Sequence, residues 1–163
     1  MYRFRQFLIP VLFAALLAGG CGNSEEKEEA ADDAIPETVA KPVYGKIKEV
    51  KLDPTIDPAI AKKGKQIFTV VCAACHKYGQ RYVGPALGKV ADRRTPEYIM
   101  NMILDTETML EKDDTVRCLL QEYLTKMPNT HVNETDARSV LEHLRDVNAN
   151  GAPADPAPPK AKK

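Results

Sequence analysis

The chain has 163 residues, enough for one domain with appendages. Its 23 lysines and arginines balance its 23 aspartates and glutamates, so no basic excess argues for a nucleic-acid partner. Tryptophan is absent, the 12 prolines gather mostly towards the ends, and a domain with so thin an apolar core needs a staple or a cofactor.

The N-terminus reads as an export signal over 1–20. Arg3 and Arg5 form a basic start. An apolar run follows from Phe7 to Ala18, broken at Pro10, and Ala18, Gly19 and Gly20 lead into Cys21. The run is short for a membrane span. This layout resembles a bacterial lipoprotein signal, which implies a lipid on Cys21 and a chain anchored to a membrane and facing the periplasm. Ala18 departs from that pattern, which usually has leucine there; Leu17 stands one place earlier. Cleavage without lipid and an uncleaved anchor are the other readings. From Gly22 to about Ala40 the chain is acidic and poor in apolar residues, so it cannot offset its chain entropy and is expected to be disordered. Residues 21–52 then form a lipid-anchor cysteine and flexible tether, or only a solubilising tail. Val43, Ile47, Val50 and Leu52 are spaced to pack as an extended strap.

A folded domain is expected over 53–148. Asp57-Pro58 is a helix cap followed by a proline suited to the first turn. Ile60, Gly64, Ile67, Phe68 and Val71 recur at helical spacing, and the helix runs into Cys72-Ala73-Ala74-Cys75-His76. Cys-x-x-Cys-His is the pattern of c-type haem attachment. Two thiols one helical turn apart can each add to a haem vinyl group, and the adjacent imidazole can bind the iron. Zinc and thiol exchange are competing uses, but two cysteines and one histidine leave zinc short of four ligands.

Gly79, Gly84, Pro85 and Gly88 mark a loop after the motif. Thr95-Pro96 opens a second helix carrying Tyr98, Ile99, Met102, Ile103 and Met109, with Arg93 and Arg94 just before it. Thr115 to Leu124 reads as a third helix with Val116, Leu119, Leu120 and Tyr123 inward. Cys118 is left over, and is expected to be a free, buried small hydrophobe rather than a disulfide or redox cysteine. Met127 lies in the polar loop Lys126-Met127-Pro128-Asn129, where core packing explains it poorly. Met100, Met102, Met109 and His131 are its competitors as a second iron ligand. The last helix runs from about Glu134 to Val147, capped by Asn133. Its buried stripe is Ala137, Val140, Leu141, Leu144 and Val147, and His143 is expected on the outer or flanking face. A Pro- and Lys-rich disordered tail is expected over 149–163.

Cys72-Ala73-Ala74-Cys75-His76, Val83-Gly84-Pro85-Ala86-Leu87 and Met127-Pro128 together resemble the class I cytochromes c. The resemblance implies an all-α fold wrapped around one covalent haem c, bonded to Cys72 and Cys75, with His76 and Met127 as axial ligands. It implies that the Pro85 carbonyl holds the His76 ring, and that Gly64 and Phe68 meet the last helix. It places Tyr98 near a haem propionate, with which Arg93 or Arg94 (Arg94 above all) could also pair; a solvated basic pair is the other reading. The function implied is one-electron transfer between membrane or periplasmic redox proteins, possible acceptors being a terminal oxidase or a periplasmic reductase such as nitrous oxide reductase. With both axial positions filled, no catalysis is expected. The alternative is a haem-based sensor or enzyme in which Met127 is labile. Lysines 62, 63, 65, 77 and 89 would give the haem edge a basic docking face.

Overall fold

The computed structural model describes residues 42–155. The expected export signal, Cys21 and the acidic segment lie outside those residues, as does the tail from 156 onward. All the described residues fall in one compact unit, Pro36–Lys163. Their regular structure is helical: α1 Pro58–Ile67, α2 Val90–Arg93, α3 Pro96–Leu104, α4 Thr106–Lys112, α5 Asp114–Tyr123 and α6 Glu134–Asn150. No described helix is long and apolar enough to cross a membrane.

Caps written in the sequence start the main helices. The Asp57 carboxylate accepts from the Ala59 and Ile60 N–H groups, Thr95 from Tyr98, Asp113 from Thr115 and Val116, and Asn133 from Asp136. Each bond satisfies a donor that the first helical turn leaves unpaired. Beyond Ile67 the chain widens into a π-helical turn, Phe68–Cys72, so the first helix does not reach the cysteines as regular α-helix. Such turns are frequent at functional sites.

α1 crosses α6 at Gly64. A Cβ there would lie 1.8 Å from the Ser139 carbonyl oxygen, so only glycine allows the two backbones to approach this closely. The crossing buries Phe68, Ala137, Val140, Leu141, Leu144 and Val147 almost completely, and the whole expected α6 stripe is inward. His143 is also inward, with 2% of its surface exposed, and the expectation of an outer or flanking position is corrected. Its Nε2 is 2.8 Å from the Tyr78 hydroxyl, and Phe68 and Tyr78 pack edge-on to its ring. That hydrogen bond offsets the cost of burying an imidazole.

The second helix ends sooner than its apolar spacing suggests. Asp105 leaves helical geometry at φ −148°, ψ 49°, and Met109 sits on the separate helix α4. Val116 is buried, whereas Leu119, Leu120 and Tyr123 of α5 are half-buried because they face a cleft rather than protein. Cys118 is half-buried and disulfide-bonded, not free. The strap is extended, and Ile47, Val50 and Leu52 lie against the core. Asn101, fully buried, accepts from the Ile47 N–H at 2.8 Å and donates to the Ile47 carbonyl at 2.7 Å. Beyond α6, the Asp155 carboxylate accepts from the Tyr78 N–H at 2.5 Å.

Candidate functional site

The π-helical turn closes into a tight loop at the motif. The N–H groups of Cys75 and His76 both donate to the Cys72 carbonyl, at 3.0 and 2.9 Å. Cys72 and Cys75 are free thiols, half-buried. Burial, with Cys75 close by, pushes the Cys72 thiol up to about 11, so it is protonated at neutral pH. The segment after His76 then folds back. Gly84 N–H donates to Cys75, Leu87 N–H to Lys77 and Gly88 N–H to Tyr78.

This return places Pro85 beside His76. Nδ1 lies 2.9 Å from the Pro85 carbonyl, which can only accept, so Nδ1 carries the proton and Nε2 keeps its lone pair. Such a bond fixes both tautomer and ring orientation. Burial lowers the His76 pKa, and the Pro85 bond partly opposes that shift. Gly84 covers the ring closely: a Cβ there would stand 2.6 Å from His76 Cε1.

His76 borders an apolar cleft with two adjoining lobes that share lining residues, of about 650 and 790 Å³ with their open mouths included. Clefts of this size suit small organic cofactors. Cys72 lines one lobe with Phe68, Leu87 and Val140. Cys75 lines the other with Leu110, Leu120 and Tyr123. His76, Pro85, Met102, Leu119 and Met127 line both. Met127 reaches the cleft from the loop between α5 and α6. Met100 and Met109 are 2% and 1% exposed within the protein core, and neither lines these lobes. His131 is exposed, with φ 52°. Two of the four competing ligands are therefore core residues and one points elsewhere, while Met102 shares the cleft with Met127. Arg81 joins the walls: it donates to the Glu122 carboxylate at 3.0 Å and carbonyl at 2.8 Å, and stacks over Tyr123 at 4.1 Å.

In the lobe that Cys72 lines, the Tyr98 hydroxyl is buried without a hydrogen-bond partner. Burial raises its pKa, which Arg94 partly offsets, and the Arg94 guanidinium lies 5.2 Å from its ring centre. A buried hydroxyl donor beside a cation calls for an anionic acceptor. Of the five lysines of the expected basic face, Lys62, Lys63, Lys65 and Lys89 are exposed and Lys77 is not. Lys77 is buried and donates to the Ala73 carbonyl at 3.0 Å. Lys63 pairs with Asp136, and Lys89 donates to the Asn148 carbonyl.

Paired thiols, an imidazole with a free Nε2, two thioethers, apolar walls and an orphaned hydroxyl beside arginine match the parts of a covalently bound haem. Among the described residues no three His, Cys, Asp or Glu side chains gather as a chelating group. Sequence reasoning missed the Tyr78–His143 pair, the steric role of Gly84 and the inward turn of Lys77. The Tyr98/Met102 spacing of four residues was the one available sign that Met102 faces the cleft.

The family model for cytochrome c matches residues 61–148. The chain is similar to cytochrome c from Rhodothermus marinus, at 42% identity and a TM-score of 0.64, over 65% of this chain and 91% of that one. It is also similar to an engineered Rhodothermus marinus cytochrome c, Rma TDE, at 41% identity and a TM-score of 0.62, over 64% and 90% of the two chains. The same engineered protein bound to a carbene intermediate gives 41%, 0.60, and the same coverage. No curated protein matches.

Proposed function

Because the chain belongs to the cytochrome c family, with the helical fold, covalent haem c and haem-based electron transfer that go with it, we propose that it is a one-electron carrier whose iron is held by His76 and Met127. The observation that supports this reading is that His76 and Met127 both line both lobes, while the Nδ1–Pro85 bond leaves the His76 Nε2 its lone pair. Haem c supplies an iron that alternates between ferric and ferrous states. Cys72 and Cys75, which line different lobes, would hold the group through its two thioether links. The Pro85 carbonyl keeps the His76 ring turned towards it. Tyr98 and Arg94 would hold a propionate, which would give the unpartnered hydroxyl an acceptor. The apolar walls exclude water, and a thioether raises the potential relative to a second imidazole.

With both protein ligands bound, the iron would have no position left for a substrate, so this reading is of a carrier rather than an enzyme. Its partners are redox proteins of the membrane or periplasm, such as a terminal oxidase or nitrous oxide reductase. A lipid on Cys21 would hold it at the membrane after export. Met127→His tests the ligand set. The variant keeps six-coordinate low-spin iron, loses the near-infrared thioether-to-iron charge-transfer band and has a lower midpoint potential. Persistence of that band in the variant would assign the ligand to another methionine.

A second reading, small-ligand binding after loss of Met127, is favoured by the carbene bound in the engineered relative. Met127 also rides an exposed loop. It predicts that carbon monoxide binds the reduced protein without a denaturant.

A further inference from the structure

Cys72 lines only one lobe of the cleft and Cys75 only the other. A group bonded to both sulfurs would therefore reach both lobes and face the residues that they share. Five residues line both lobes: His76, Pro85, Met102, Leu119 and Met127. Leu119 has no donor atom, and the Pro85 carbonyl already accepts from His76. Three candidate ligands remain, the His76 imidazole and the sulfurs of Met102 and Met127. Haem iron takes two axial ligands, so one thioether is surplus.

The two methionines are mounted differently. Met102 belongs to α3, which Thr95 caps and the strap braces through Asn101. It follows Tyr98 by one helical turn, on the same face. Its carbonyl accepts from the Thr106 hydroxyl at 2.8 Å. It is half-buried at the cleft, unlike Met100 and Met109 in the core. An unbranched thioether with three rotatable bonds can change its reach without moving the helix. Met127 sits on a loop that leaves α5 through Leu124, left-handed at φ 52° and 86% exposed. Lys126 ties this loop to Glu107 by an ion pair exposed on both sides, a kind of contact that contributes little. Segments of this kind open locally at lower free energy than a packed helix.

We propose that Met102 is a reserve axial ligand, whose sulfur takes the iron position given up by Met127 when the loop opens. This rests on the reading of His76 and Met127 as resting ligands. The Met127 sulfur–iron bond breaks and a Met102 sulfur–iron bond forms; no electron or proton is transferred. One thioether replaces another, so the potential changes little and the position stays closed to small ligands.

The test uses the ferric holoproteins of Met127→Ala, Met102→Leu and the double variant, read by the near-infrared thioether band and the midpoint potential. The band is expected in both single variants and absent from the double, with the potential falling only in the double. Loss of the band in Met127→Ala alone overturns the reserve role and leaves Met127 as the ligand. Loss in Met102→Leu alone makes Met102 the resting ligand and overturns both readings. Survival in the double variant also overturns both. Met127→Leu, which keeps the side-chain volume, replaces the alanine variant if that one does not accumulate with haem.

Discussion

His143 stands beside the apolar stripe of α6, yet it is closed off by Phe68 and Tyr78. Its hydrogen-bond partner is 65 residues away in sequence, so helical periodicity, a local signal, does not reveal it. Cys72, Cys75, His76 and Pro85 were legible because a motif of a few consecutive residues carries their chemistry. Met127 was legible only as one of several methionines, since reaching the cleft depends on how a loop closes. The burial of His143 also predicts a pH dependence. Burial lowers its pKa, Asp146 opposes that shift and Lys65 adds to it. The unfolded chain therefore takes up the proton first, near its ordinary value of about 6.5. The unfolded state binds more protons in that window, so stability is fully present above about 6.5 and is lost as pH falls below it. Thermal unfolding between pH 7.5 and 5 (about three buffers suffice) measures the slope. His143→Gln keeps an acceptor for Tyr78 and is expected to flatten the slope; an unchanged slope assigns it to other groups.

The α1–α6 crossing is the element on which the site depends, because α1 leads directly into the cysteines. Gly64 was legible as a close-crossing residue from its place in an otherwise good helix. The end of α3 at Asp105 was not, because the apolar spacing continues to Met109 and the break lies in backbone geometry. The half-burial of Leu119, Leu120 and Tyr123 was hidden too: periodicity reports an inward face without saying whether protein or cofactor fills it. Gly64→Ala would drive a methyl into the Ser139 backbone, where no rotamer change gives relief. The expected loss is about 3 kcal/mol or more, the upper end of overpacking penalties, or a fall of roughly 10 °C or more in Tm. Circular dichroism of the ferric holoprotein measures it. A Tm within about 2 °C of the parent would mean that the helices do not meet as closely as described.

At the scale of the whole molecule, the haem domain is accounted for by its cleft, and the proposed lipid anchor lies before residue 42. Cys21→Ser is expected to move the protein from the membrane fraction to the soluble fraction after export. Unchanged membrane retention would indicate an uncleaved apolar anchor or a bound partner. The lysines were legible as a cluster, but their common exposure was not, because Lys77 turns inward to Ala73. The function itself turns on whether the iron is closed. Carbon monoxide added to the reduced holoprotein at neutral pH tests this most directly, followed through the haem absorption bands. A carrier held by His76 and by one of the two cleft thioethers keeps its spectrum unchanged. Rapid conversion to the carbonyl spectrum would mean an open axial position, and would contradict the account of this protein as an electron carrier.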